Sequence, residues 1–273
     1  IALLLIGIAV LRPSKTVYES ASTYVKQLDV YYVVDLTTSM GALDWGDQQK
    51  RLLGVQQDIN KSLDDYAGAK FSLIVFNSTS SYIRTPLTSD ASSLASSANT
   101  MQLESSSYSE GTNINQPVKL VRDVLSSKTE SEKNDMKIVL FFSDGENTSD
   151  SSTLSNKESF NSWKKYMTTG AVYGYGTKQG GKMLNSVEGY IDTRKSKYVL
   201  GKDGQPGVSK IDESSLKKVA KDLNVKYEHR TATTDIATPQ ITKAILDKNV
   251  SKQTKNVDNV HEYYWYLLLL SII

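Results

Sequence analysis

Val30-Tyr31-Tyr32-Val33-Val34 is a run of β-branched and aromatic residues with no polar position to turn toward water. A run this short does not make a useful helix. A strand without alternation has to be covered on both faces, as the central strands of parallel sheets are. The pattern recurs at Lys70 to Asn77, Lys137 to Phe142 and Ala171 to Tyr175, with a shorter strand at Tyr227 to Arg230. Ser81 to Leu87 is more polar and contains Pro86, which places it at a sheet edge. Between these runs lie stretches of helical period. Arg51 to Tyr66 sets Leu52, Val55, Ile59 and Leu63 on one face, and Ile114 to Leu125 does the same with Val118, Val121 and Leu125. Further helices are expected at Ala91 to Met101, around Lys157 to Met167, at Glu213 to Leu223 and at Ile241 to Lys248. The alternation predicts an α/β fold: a doubly wound, mostly parallel sheet with one antiparallel edge strand and helices on both faces. Residues 177 to 210, rich in glycine, read as a long excursion containing a hairpin.

The 273 residues suffice for one large α/β domain or two small ones, and a net charge of +2 with scattered lysines gives no reason to expect nucleic acid as a partner. Cysteine is absent, which removes disulfides and thiolate metal sites together. The ends differ in character. Ile1 to Leu11 is apolar up to Arg12-Pro13, and Tyr263-Tyr264-Trp265-Tyr266 leads into Leu267 to Ile273. Each is shorter than the roughly 20 residues that span a bilayer, and the aromatic cluster resembles an interfacial belt. The expected division is therefore a partial transmembrane helix over 1–12, a connector over 13–28, the α/β domain over 29–250, a connector over 251–262 and a second partial transmembrane helix over 263–273. Arg12, Lys15 and Lys26 lie on the domain side of the first stub, which taken alone favours a cytoplasmic domain.

The chemistry sits where the apolar runs stop. Asp35-Leu36-Thr37-Thr38-Ser39 ends the first, Phe142-Ser143-Asp144-Gly145 ends another, and Gly111-Thr112-Asn113 opens a helix. In open α/β sheets, ligands bind at the carboxyl ends of the strands. Thr37, Ser39 and Thr112 are neutral hydroxyl donors, and Asp35 and Asp144 supply negative charge directly or through water. Such a hard-oxygen set suits Mg²⁺, Mn²⁺ or Ca²⁺. With few charges among its ligands, the ion would stay electrophilic and recruit a carboxylate from outside, which points to metal-bridged adhesion more than to hydrolysis. The competing structural explanation for each piece is helix capping, for which Ser, Thr and Asp are equally suited.

Other chemistries find less support. Gly174-Tyr175-Gly176-Thr177-Lys178-Gln179-Gly180 has the wrong spacing for a dinucleotide loop. A phosphatase using Asp35 as nucleophile would need an acid where Thr37 stands. His229 and His261 are the only histidines, and no Gly-x-Ser-x-Gly elbow accompanies them, so neither a serine triad nor a zinc site is expected. A metal-dependent hydrolase using Asp35 or Asp144 remains the alternative.

The set Asp35-x-Thr37-x-Ser39, Thr112 and Asp144-Gly145 resembles the metal-ion-dependent adhesion site of von Willebrand factor A domains. Thr37 departs from the family's serine while keeping the hydroxyl. Asp35-Leu36-Thr37-Thr38-Ser39-Met40, Pro86-Leu87-Thr88-Ser89-Asp90, Phe142-Ser143-Asp144-Gly145-Glu146 and Gly170-Ala171-Val172-Tyr173-Gly174-Tyr175-Gly176-Thr177 are similar to bacterial membrane-anchored members of the Bat (aerotolerance-operon) type, often encoded beside MoxR-type AAA+ ATPases. The resemblance implies a non-enzymatic binding domain with Thr37, Ser39 and Thr112 on the ion and Asp35 and Asp144 often acting through water. It further implies a membrane location, extracytoplasmic in some relatives, and a protein partner presenting Glu or Asp, such as a MoxR-type ATPase or another such domain. Trp45 and Asp47 follow the first loop, Glu110 precedes the second and Glu146 follows the third. These four are expected to rim the site and set partner choice, Trp45 having packing on the sheet as its alternative.

Overall fold

The apolar runs form the strands of one six-stranded sheet in the computed structural model of the chain, which describes residues 9–10, 14–24, 28–107, 111–127, 135–148, 159–187, 190–191, 197–240, 252–262 and 264–266. The strands are β1 (Leu28–Asp35), β2 (Lys70–Phe76), β3 (Ser81–Thr88), β4 (Met136–Ser143), β5 (Thr169–Gly174) and β6 (Lys226–His229). Their spatial order is β6-β5-β4-β1-β2-β3. All neighbours run parallel except β2 and β3, so the proline-bearing strand is the antiparallel edge, with register shifts along it. Every residue of β1 and β4 is buried, which is why neither sequence alternates.

Two apolar layers cover the sheet. Val30, Tyr32 and Val34 point to one side, where α1 (Arg51–Asp65) brings Leu52, Val55, Ile59 and Leu63 and α2 (Ala91–Asn99) brings Leu94 and Ala98. Tyr31 and Val33 point to the other, packed with Val118, Val121 and Leu125 of α3 (Val118–Ser126) and Leu216, Val219 and Leu223 of α4 (Glu213–Leu223). The helix starts follow local chemistry. Asp90 and Asp212 cap α2 and α4 by accepting from the amides two and three residues on, and α4 stops at Asn224 in the left-handed region.

Two helices differ from expectation. α3 begins at Val118, four residues late, because Pro117 has no amide to donate and disfavours helical backbone at Gln116. Within the helix expected at 157–167, residues 159–167 form a 3₁₀ turn at Phe160–Ser162 and further turns, with Trp163 buried and its indole donating to the Val118 carbonyl at 2.9 Å. Residues 157–158 and the helix expected at 241–248 lie outside the described residues. In the excursion, Gly181–Lys182 pairs with Val208–Ser209 and Ser186–Val187 pairs with Tyr190–Ile191, both antiparallel.

The chain divides into two units, residues 27–249 and residues 1–26 with 250–273. In the second unit, the segments expected as connectors form a ribbon instead. Ser14–Tyr24 and Lys252–Glu262 run antiparallel without a register break, from Ser14 opposite Glu262 to Tyr24 opposite Lys252. Among the described residues, no helix is long and apolar enough to cross a membrane.

Candidate metal centre

Strand order reverses between β1 and β4, and the crevice at their carboxyl ends is where this architecture places ligands. Parallel pairing sets Val34 beside Phe142, so Asp35 and Ser143 emerge side by side. The Asp35 carboxylate is completely enclosed. One of its oxygens accepts from the Thr37 amide at 2.9 Å and the Thr37 hydroxyl at 2.6 Å, and the other accepts from the Ser143 hydroxyl at 2.7 Å. Thr37 Oγ1 lies 3.0 Å from Ser39 Oγ. Since the Thr37 proton goes to Asp35, the Ser39 hydroxyl is the donor of that contact. The first loop is thus a short relay of oxygens with few internal donors to spare.

Asp144 follows β4 directly and is equally enclosed. Oδ1 accepts from the Glu146 amide at 3.1 Å, and the main-chain carbonyl accepts from the Asp212 amide at 2.8 Å. Gly145 makes this turn possible. Its φ is +80°, and an added Cβ would stand 2.3 Å from the Asp212 carbonyl oxygen. Thr112, in the second loop, pairs with the segment that follows this turn, its amide donating to Thr148 Oγ1 at 3.1 Å and its carbonyl accepting from the Thr148 amide at 2.9 Å. The first loop is braced from outside by Glu104, which accepts from the Thr38 and Ser78 amides at 3.2 and 3.0 Å.

One essential member is absent from the sequence reading. Arg51, the first residue of α1, is fully buried and joins the parts. Its Nη1 donates to Asp144 Oδ2 at 2.7 Å and to Ser209 Oγ at 2.7 Å, and its Nε and Nη2 clamp the Asp44 carboxylate at 2.7 and 2.8 Å. Asp44 also accepts from the Thr177 amide at 2.8 Å. A signal existed: Arg51 occupies the same helical stripe as Val55, Asp58 and Ser62, and a charge on a buried stripe implies buried partners.

The electrostatics follow from the enclosure. Burial, then the charge of Asp144, pushes the Asp35 carboxyl up to about 7, against the pull of the Thr37 and Ser143 hydrogen bonds. Glu146 is raised for the same reasons, burial first and Asp144 second. Burial alone would also raise Asp44, but the hydrogen bonds and charge of Arg51 bring it below the usual carboxylate range. A divalent cation beside Asp35 and Asp144 would offset both the cost of burying the Asp35 charge and its repulsion by Asp144, and the side chains free to ligate it offer hard oxygens. The residues fit Mg²⁺, Mn²⁺ or Ca²⁺. Among the described residues, no cluster of three or more His, Cys, Asp or Glu offers another kind of metal cage.

The expected rim is only partly on the surface. Trp45 is a correction: it is buried, packs at a tilt against Tyr175 with centroids 5.4 Å apart and lies against Gly54, because the turn that follows it folds back onto α1. Asp47 is exposed on that turn. Glu146 is half-buried, with Oε1 accepting from the Lys210 amide at 2.9 Å. Glu110 lies outside the described residues. His229 ends β6 with Nε2 at 2.7 Å from the Gly176 carbonyl oxygen, and His261 is part of the terminal ribbon.

Residues 30–146 match the family model of the von Willebrand factor type A domain, a span that contains Asp35, Thr37, Ser39, Thr112 and Asp144. No curated protein sequence matches the chain. Among solved structures, the chain is similar to the conserved hypothetical protein BatB from Bacteroides thetaiotaomicron, with 24% identity, a TM-score of 0.58 and coverage of 75% of this chain and 90% of that one. It is similar to the same degree, 24% and 0.58, to an aerotolerance-related membrane protein from Bacteroides fragilis, over 75% of this chain and 92% of the other. At this identity the likeness speaks for the shared fold.

Proposed function

We propose that the chain carries a von Willebrand factor type A domain, whose family model matches residues 30–146, and that its β1–β4 edge binds a divalent cation, Mg²⁺ or Mn²⁺ before Ca²⁺, and through it engages an acidic residue of a protein partner. The observation that carries the reading is the buried pair Asp35 and Asp144, set among hydroxyls, with the Asp35 carboxyl raised by burial first and by the charge of Asp144 second. Thr37, Ser39 and Thr112 would hold the ion, with Asp35 and Asp144 supplying charge directly or through water. The bound ion supplies Lewis acidity toward an incoming carboxylate. The protein's own part is to keep the donors few and fixed: Ser143 and Thr37 orient Asp35, and Arg51 holds Asp144 and neutralises part of its charge.

The domain is read as a binding protein and not as an enzyme. A hydrolase built on Asp35 or Asp144 needs a base, and the His229 ring is committed to the Gly176 carbonyl. The partner class is a protein presenting Glu or Asp, with a MoxR-type ATPase or a second domain of this family as the leading candidates. A cell-membrane setting accords with the apolar residues near both ends and with the description of the similar Bacteroides fragilis protein, and the side outside the cytoplasm is proposed from the resemblance to Bat-type proteins alone. Capture of such a partner by the immobilised chain in Mg²⁺, lost in chelator and lost in Ser39→Ala, is the expected result. Capture indifferent to chelator contradicts the reading, and phosphoester turnover that disappears in Asp35→Asn replaces it with the hydrolase.

A further inference from the structure

The excursion after β5 is not a free appendage of the sheet. Its two short strands are pinned to the edge that carries Asp35 and Asp144. Ser209 accepts from Arg51 through both its hydroxyl, at 2.7 Å, and its carbonyl, at 3.0 Å, while Arg51 holds Asp144. Lys210 donates its amide to Glu146. On the opposite strand, Gly181 lies against Leu43 and Asp44, and Met183 bridges to Ala42, three residues beyond Ser39. Lys182 sits between those two anchors and pairs with Val208, one ladder step from Ser209.

This pinned hairpin carries an excess of positive charge. The sequence from Thr177 to Ile211 holds seven Lys and Arg against three Asp and Glu, whereas the whole chain is nearly balanced at +2. Lys178, Lys182, Lys197, Lys202 and Lys210 are all exposed. Two of them share one ring: the ammonium groups of Lys182 and Lys197 each stand 5.5 Å from the centroid of the Tyr198 ring. The excess of positive charge along the hairpin favours an acidic partner segment. Beside them, Leu200 and Val208 are about half exposed, at 51% and 50%.

We infer that the Lys182–Lys197 pair over Tyr198 is a second carboxylate-binding point, and that the partner engages this edge with an acidic segment and not with one isolated Glu or Asp. The inference rests on the proposed cation site for its first contact. One carboxylate of the segment goes to the ion, a further one to the lysine pair, and an apolar side chain between or beside them covers Leu200 and Val208. Exposed lysines contribute through steering and register more than through deep burial, so the contribution is sensitive to salt.

The test uses two fluorescent peptides and the 273-residue chain in Mg²⁺. One peptide carries a single Glu among neutral residues, and the other carries the same Glu followed by a run of acidic residues. The acidic peptide is expected to bind roughly tenfold more tightly, with the advantage fading as salt rises. Lys182→Glu with Lys197→Glu should erase that advantage while leaving Mg²⁺ binding by calorimetry unchanged. No preference for the acidic peptide in the wild type, or a preference that survives the double substitution, overturns the inference even if Mg²⁺-dependent binding of both peptides remains. A preference that is lost in the double variant but persists in chelator keeps the lysine site and removes the cation reading beneath it. Phosphatidylglycerol vesicles form the last arm: if the double variant loses vesicle binding and keeps its peptide preference, the hairpin is a membrane contact and the inference fails.

Discussion

At the head of the sheet one buried guanidinium, Arg51, holds two carboxylates, Asp44 and Asp144. Arg51 and Asp144 are both fully enclosed at 2.7 Å, so deleting Arg51 leaves Asp144 buried without its ion-pair partner, a loss of about 3–5 kcal/mol. Arg51→Ala is expected to destabilise the chain on that scale in urea unfolding, and a loss under 1 kcal/mol would show the pair to be dispensable. Asp35 gives a pH signature. Its carboxyl is raised to about 7 in the folded chain, against about 3.9 when unfolded. Between those values the folded, metal-free chain keeps a proton that the unfolded chain releases, so this group's contribution to stability falls as pH rises through the window. Mg²⁺ must displace that proton. The rise in melting temperature on adding Mg²⁺ should therefore be small at pH 5 and larger at pH 8; an equal or opposite response contradicts the assignment of Asp35.

At the level of elements, the turns after β1 and β4 are the parts that cannot be varied freely. Gly145→Ala forces a Cβ against the Asp212 carbonyl from a positive φ, at a cost on the order of 1–3 kcal/mol. The same change should weaken Mg²⁺ binding, because it displaces the neighbouring Asp144; unaltered stability and binding would show that the turn yields. Leu125, wholly buried on α3, should cost about 2–5 kcal/mol when cut to Ala without altering metal affinity, which separates core damage from site damage. The strands and the apolar faces of α1 and α3 were legible because burial on two faces or one stripe imposes a period on the sequence. The first and third site loops were legible for a related reason, since they begin where the apolar runs end. Trp45 misled because a large aromatic beside a polar loop reads alike whether it caps the sheet or faces a partner. Arg51 escaped notice because its partners, Asp44, Asp144 and Ser209, are distributed over the chain and only tertiary contact joins them. The pairing of residues 14–24 with 252–262 is equally non-local, and neither segment has the alternation of a half-buried strand.

For the molecule as a whole, the account makes the α/β unit a device for presenting one edge. A second buried cluster supports this from α1. The Arg230 guanidinium clamps both Asp58 oxygens at 2.8 and 2.9 Å, and Tyr175 donates to the same carboxylate at 2.6 Å. α1 is thereby fixed to the chain leaving β6 as well as to the site through Arg51. Everything proposed about partners depends on the cation. Calorimetric titration of the chain with Mg²⁺ tests that most directly. One saturable site, lost in Asp144→Asn with the fold intact by circular dichroism, is the predicted result; no binding in the wild type, or equal binding in the variant, would contradict the account.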